Sequence, residues 1–263
     1  PPARARALIR AARLTDSPAA FVARELHAAR RRPGASDMRL MRTYGVGTGR
    51  VSLRHGTGDV PLFYDIFSQR HYAPPAEVMR ALRGVGAVSV VDLGANIGLF
   101  SAFIASELPV DTVVAYEPDR ANLHLLRLNL DAALAARHRV VDACAGASDG
   151  EVAFKSGDFG RSRAVAVGST DAGGSVLPRI DVLPDLAVAD LVKIDIEGGE
   201  WDILTDTRFD DLSARALVME YHPWQCPGSD PRATAEDLLA RRGFTVRTAR
   251  EHVPGFGEIW AWR

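Results

Sequence analysis

The sequence predicts an α/β fold: a doubly wound, mostly parallel sheet closed by a C-terminal antiparallel hairpin, with an N-terminal appendage of helix and short strands. Three observations predict it. From Val88 onward, short β-prone runs alternate with longer runs of helical spacing, the pattern of a parallel sheet with helices on both faces. The stretch SVVDLGANIGLFSAFIASEL, Ser89 to Leu108, places an acid, two glycines and an asparagine between an apolar strand and an apolar helix. The chain then ends in FTVRTAR and GEIWAWR, two β-like runs separated by a Pro/Gly turn. At 263 residues and 47% hydrophobic composition, there is room for one sizeable core with an appendage but not for two full α/β domains.

Each element has a local reason. Ser17 and Pro18 suit a helix start, and Phe21, Val22, Leu26 and Ala29 recur at helical spacing until RRRPG ends the run. Between Asp37 and Gln69, glycine-rich turns separate β-prone pieces such as RVSL and PLFYDIF, which read as a small hairpin or cover. Prolines open a helix in YAPPAEVMRALRGVG and Gly84 stops it. Strands are expected at 88–93, 112–116, 140–143, 191–194 and 216–221, and helices at 97–108, 119–133, 199–204 and 233–241. VAVGSTDAGGS is expected to be a mobile loop. Residues 1–70 read as a helix and β cover, serving as a substrate lid or a self-association element, and residues 71–263 as the ligand-binding domain.

Charge narrows the partners. The net charge is −1, but residues 1–32 hold eight arginines against Asp16 and Glu25, so this segment is near +6 and the rest near −7. An acidic body with no nucleic-acid-reading module argues against a nucleic-acid partner, and the arginines read as a solvated helix face. Cys144 and Cys226 are too few and too far apart for a disulfide scaffold or a zinc site. No apolar run is long enough to span a bilayer, so no membrane partner and a cytoplasmic location are expected. Helical appendages often self-associate, which makes a homodimer the expectation.

Ligands of open α/β sheets bind where the carboxyl ends of the strands meet loops and helix N-termini. Asp92, Gly94, Asn96 and Gly98 fall at such an end. Gly94 would permit a tight turn, and Gly98 close packing of the next helix on the strand. A dinucleotide cradle would read G-x-G-x-x-G; this loop lacks one of those glycines and carries Asp92, which would repel a pyrophosphate and suit a cation. Glu117, at the end of the next strand, can accept both hydroxyls of a ribose, and Asp142 and Ala143, after the third, would flank an adenine. The ligand inferred is an adenosine carrying an amino acid, S-adenosylmethionine. Two further strings, LVKIDIEGGEWDIL and LVMEYHPWQCPG, would bring Asp195, Glu197, Glu220 and His222 to one spot as an acid/base pocket.

Together VVDLGANIGLFS, AYEPD, VKIDIEGGEWDIL and LVMEYHP resemble the FkbM-type methyltransferases, from about Tyr72 to the C-terminus. The resemblance implies the Rossmann-like class I methyltransferase fold and transfer of a methyl group from S-adenosylmethionine to a hydroxyl of a sugar, nucleoside, macrolide or other natural product. It supports cofactor roles for Asp92, Gly94, Asn96, Gly98 and Glu117, and it places Asp195 and Glu197 beside the methyl-transfer site.

Transfer to a hydroxyl requires a base. His222, made more basic by Glu220, is the first choice, with Asp195 as the alternative or as the group that orients the hydroxyl, and Glu197 free to pair with Lys193 or bind substrate. The carboxylates also suit a divalent metal such as Mg²⁺, a question the residues leave open. Tyr72 could fold over the cofactor, Trp201 suits the core and Trp224 a substrate-stacking loop, while His71, His124 and His138 offer no comparable constellation. Two other readings stay open: a catalytically silent S-adenosylmethionine-binding scaffold, and a nicotinamide-dependent oxidoreductase.

Overall fold

The computed structural model describes residues 2–31, 37–134, 137–155, 163–165 and 175–263. Helices α1 (Pro2–Ala12) and α2 (Pro18–Arg31) precede an antiparallel hairpin, β1 (Met41–Val46) and β2 (Gly49–Arg54). PLFYDIF is not a strand: it lies in α3 (Asp59–Phe63) and a π turn over Tyr64–Ser68. Val60, Phe63 and Ile66 are buried, so helical spacing overrides the β-prone composition, and Pro61 is tolerated because it sits in the first helical turn. α1 escaped sequence reading because its stripe of Leu8, Ala11 and Ala12 is short and set among arginines. α4 (Ala76–Arg83) then leads into the sheet.

The alternation continues as β3 (Val88–Leu93), α5 (Leu99–Glu107), β4 (Val110–Tyr116), α6 (Arg120–Ala133) and β5 (Arg137–Val141). A small second sheet follows, from β6 (Cys144–Gly146), β7 (Gly150–Lys155), β8 (Arg163–Val165) and β9 (Ser175–Asp181), in the order β6-β9-β7-β8. Residues 166–174, which hold most of the expected mobile loop, lie outside the described residues. The chain returns through α7 (Leu183–Leu186), β10 (Leu191–Ile194), α8 (Glu200–Thr205), β11 (Ala216–Tyr221), α9 (Pro231–Ala240), β12 (Thr245–Val253) and β13 (Phe256–Trp262).

The main sheet has the order β12-β13-β11-β10-β3-β4-β5, parallel from β11 to β5 and antiparallel at the terminal hairpin. The third parallel strand, expected at 140–143, is shifted to Arg137–Val141. At this edge position Arg137 and Arg139 can reach solvent, which hides the strand from a hydrophobicity reading.

Period-two alternation sends neighbours to opposite faces. Val88, Val90, Ala216, Val218 and Trp260 join α4, α5 and α6 on one face; Val91, Leu93, Leu217, Met219 and Ile259 join α7, α8 and α9 on the other.

The N-terminal elements share the first of these clusters through Phe21, Tyr44 and Phe63. Buried polar contacts bind them to α6. Asn129 accepts from Ser52 N at 2.6 Å and donates to Ser52 O and Ile97 O. Arg54, paired with Asp59 at 2.7 Å, also donates to Ala121 O and Asn122.

Strand order reverses beside β3: the chain runs outward through β4 and β5, then returns to add β10 on the other flank. Such a switch point leaves a crevice at the carboxyl end of the sheet.

Candidate functional site

The loop leaving β3 forms the first wall of that crevice. It turns through Gly94 (φ +77°), Asn96 (φ 52°) and Gly98 (φ +83°), left-handed backbone that favours glycine and, after it, asparagine. At Gly94 a Cβ would lie 1.9 Å from the carbonyl oxygen of Asp195, so the loop presses directly on the chain leaving β10. At Gly98 a Cβ would come within 2.9 Å of Leu126 Cδ1. That glycine therefore admits helix α6, not the strand its position suggested.

Each N–H of this loop has a partner. Gly94 and Ala95 donate to Tyr116 O, and Gly98 to Ala95 O; Asn96 donates to Glu117 Oε2 at 2.8 Å, and Ile97 to the Asn96 side chain at 2.8 Å. A pyrophosphate cradle needs N–H groups aimed outward. Here they are consumed, and the dinucleotide reading loses its anchor.

Glu117, 5% exposed, accepts Asn96 N on one oxygen and Asp119 N on the other. Burial lifts its carboxyl to about 7, against the lowering effect of these donors. Asn122 Nδ2 also reaches Oε1, at 3.4 Å, so Oε2 keeps a lone pair for a ribose hydroxyl, and Oε1 can take the second in place of this long contact. Asp142 follows β5 with its side chain 43% exposed and 3.9 Å from Arg120, and Ala143 is buried where the chain departs for the small sheet. Acceptors, negative charge and a loop with no outward N–H suit a cationic ligand that carries a ribose, as S-adenosylmethionine does.

Asp92 departs from its expected role. It is fully buried, accepts from Ser101 Oγ at 2.7 Å and faces Lys193 Nζ at 3.5 Å. The cation it meets is this lysine, so Asp92 holds the loop from beneath instead of presenting a carboxylate to a ligand. Lys193 also donates to Gly94 O at 2.7 Å and pairs with Asp195 at 3.3 Å. Burial would lower its pKa, but the surrounding carboxylates raise it, and it stays charged.

The second wall is the acid cluster. β10 and β11 are parallel neighbours, so their ends bring Asp195, Glu197, Glu220 and His222 together as expected. Tyr72 joins them. Its hydroxyl is 2.5 Å from Glu220 and 3.4 Å from Asp195, and its ring meets Phe100 edge-on, which makes it a bridge between two acids, not a free cover. Burial, then the Asp195 charge, raises the Glu220 carboxyl. Burial lifts Glu197 to about 7. Glu197 adopts φ 56° and meets His222 at 3.5 Å; its expected partner Lys193 is taken by Asp92 and Asp195.

His222 is paired differently from the sequence expectation. Its Nδ1 lies 3.0 Å from Glu200, a fully buried residue that also accepts His222 N and Gly198 N. Burial would lower this histidine, but the Glu200 hydrogen bond and the nearby acids outweigh it and lift His222 to about 9. This pairing favours the protonated imidazole and leaves Nε2 facing Glu197. Its ring stacks on Trp224 at 5.4 Å, and its carbonyl accepts from Trp201 Nε1; Trp201 is 2% exposed, a core residue as expected.

Sequence reading missed three residues. Glu200 lies in the first turn of α8 and meets His222 only through the β10–β11 pairing. Glu258 stands opposite Glu220 in the β11–β13 register. His71, set aside in the sequence, lies 2.6 Å from Glu258 and 3.9 Å from Glu220. The one available signal was the adjacency of His71 to Tyr72.

The family model described as the methyltransferase FkbM domain matches residues 92–246. Methyltransferase 1 of Beauveria bassiana is 24% identical over 188 residues, covering 61% of this chain and 74% of that protein. The AMB antimetabolite synthetase AmbE of Pseudomonas aeruginosa is 31% identical over 206 residues, covering 60% of this chain and 9% of the synthetase. Among solved structures, the methyltransferase FkbM from Methylobacillus flagellatus aligns with TM-score 0.48 and 16% identity, over 92% of this chain and 58% of that one. A precorrin-6y C5,15-methyltransferase from Geobacter metallireducens aligns with TM-score 0.41 and 17% identity, over 71% and 86%.

Proposed function

Because this chain belongs to the FkbM family of S-adenosylmethionine-dependent methyltransferases, we propose that it is an O-methyltransferase acting on a hydroxyl of a small natural product such as a sugar, nucleoside or macrolide. The observation that carries the proposal is the meeting of proton-accepting carboxylates, Asp195, Glu197 and Glu220, beside the glycine loop at the strand switch point. The description of AmbE as an antimetabolite synthetase supports a natural-product acceptor.

S-adenosylmethionine, when bound, supplies an electrophilic methyl on a sulfonium and leaves as S-adenosylhomocysteine. Glu117 would hold the ribose hydroxyls, Asp142 and Ala143 would flank the adenine, and the Gly94–Gly98 loop would carry the amino-acid portion. On the acceptor side, an alcohol must lose its proton as its oxygen forms the new bond. Asp195 is already shared between Lys193 and Tyr72, and Glu220 is held by Tyr72. Glu197, 3.5 Å from His222 and held by neither Lys193 nor Tyr72, is the carboxylate best placed to take that proton. His222 and Glu200 act as positioning residues, and Trp224 offers a face for a ring-shaped acceptor.

Calorimetric titration with S-adenosylhomocysteine, with NAD as the paired control, tests the cofactor. Binding of the first alone is expected, and binding of NAD alone or of neither would overturn the reading. With an acceptor in hand, Glu197→Gln should keep S-adenosylhomocysteine affinity while losing turnover; full turnover would remove Glu197 from the mechanism.

A further inference from the structure

Asp195, Glu220 and His222 each place one ligand-capable atom within 4.8 Å of the other two. We infer that these three side chains bind one divalent cation of the manganese-to-zinc class. Its use in seating the acceptor oxygen rests on the function proposed above, but the binding itself does not.

The spacing is close to what an ion requires. Ligands about 2.1 Å from a metal stand about 3 Å apart when adjacent and about 4.2 Å when opposite, so small side-chain movements would close the set. The histidine is already oriented as a ligand, since Glu200 holds Nδ1 at 3.0 Å and so turns Nε2 toward the acids, where an ion would take the place of its proton. A carboxylate behind the imidazole is the usual way a ligating histidine is oriented.

The neighbouring strand shows how the surrounding charge is shared. Glu258, 1% exposed and paired in register with Glu220, is held by His71 at 2.6 Å, and the same imidazole stands 3.9 Å from Glu220. With His71 engaged by Glu258, the carboxylates of Asp195, Glu197 and Glu220 remain gathered around His222, and a divalent cation would offset part of their charge. Lys193 is already divided between Asp92 and Asp195.

The ligand chemistry selects the ion. Two carboxylates alone would suit Mg²⁺ or Ca²⁺, but an imidazole shifts the preference toward Mn²⁺, Fe²⁺ or Zn²⁺. Three protein ligands also leave coordination positions for a substrate oxygen.

The test is Mn²⁺ binding to the EDTA-treated full chain, followed by loss of the free-ion electron paramagnetic resonance signal with no cofactor or acceptor added. One ion per chain is expected, displaced by Zn²⁺ but not by an equal concentration of Mg²⁺. Asp195→Asn and Glu220→Gln should weaken binding by about tenfold or more, and Glu200→Gln by about 10- to 100-fold. His138→Gln, whose imidazole pairs with Asp131 instead, should leave it unchanged. Circular dichroism reports which variants fold, and any one folded ligand variant suffices for the comparison. No uptake at millimolar Mn²⁺, or undiminished uptake by folded Asp195→Asn or Glu220→Gln, overturns the site. S-adenosylhomocysteine titration is read separately, so failure of the methyltransferase reading and failure of the metal site are distinguishable.

Discussion

Replacing Gly94 with alanine would strike the switch point directly. The residue sits at φ +77°, and a Cβ would lie 1.9 Å from Asp195 O, a backbone atom that cannot swing aside. The left-handed conformation costs an alanine about 1–2 kcal/mol, and forcing the loop and the end of β10 apart adds about 1–3 kcal/mol. Gly86 is the matched control: it has φ +94° but nothing within 4 Å of its Cβ position, so Gly86→Ala should lose the conformational part alone. At about 2–4 °C per kcal/mol for a chain near this size, Gly94→Ala should melt about 4–20 °C below the parent and Gly86→Ala about 2–8 °C below. Thermal unfolding by circular dichroism reads the difference, and calorimetry should show S-adenosylhomocysteine affinity falling in Gly94→Ala alone. Equal melting points for the two variants would refute the claimed contact between the loop and β10.

Glu117→Ala should weaken S-adenosylhomocysteine binding by about 10- to 100-fold, the loss of one or two charge-assisted hydrogen bonds; an unchanged dissociation constant in calorimetry would remove the ribose assignment. Asp59→Ala should destabilise the chain by about 3–5 kcal/mol, because it leaves Arg54 buried without its carboxylate; denaturant unfolding would show this, and a loss below about 1 kcal/mol would mean the ion pair is structurally idle. Thermal stability should fall as pH rises from 6 to 9. Glu117 is raised from 4.5 to about 7, so its contribution is complete below 4.5 and lost as pH passes 7. His222 is raised from 6.5 to about 9, so its contribution is complete below 6.5 and lost as pH passes 9. A melting point that climbs over this interval would contradict both assignments.

The strands Val88–Leu93, Leu191–Ile194 and Ala216–Tyr221 and the terminal hairpin were legible because they are hydrophobic runs with clear borders, and burial on two faces leaves little choice of composition. PLFYDIF misled because a buried short helix and a strand both call for large apolar residues. Edge strand β5 and the small sheet were obscured by polar residues that solvent tolerates. In the site, Gly94, Glu117 and the Asp195–Glu197 string announced themselves at strand ends. Glu200, Glu258 and His71 did not, since each meets its partner only through strand pairing or chain packing.

The sequence by itself thus determined the layer architecture, the strand ends that carry the site and the ligand chemistry expected there, because periodicity, glycine placement and acids at strand ends are local properties. Tertiary structure alone decided which charges meet. It assigned Lys193 to Asp92 and Asp195, and it paired His222 with Glu200 instead of Glu220. The physical reason is that a side chain's protonation depends on burial and on charges a few ångströms away, and those neighbours come from strands and helices that are far apart along the chain.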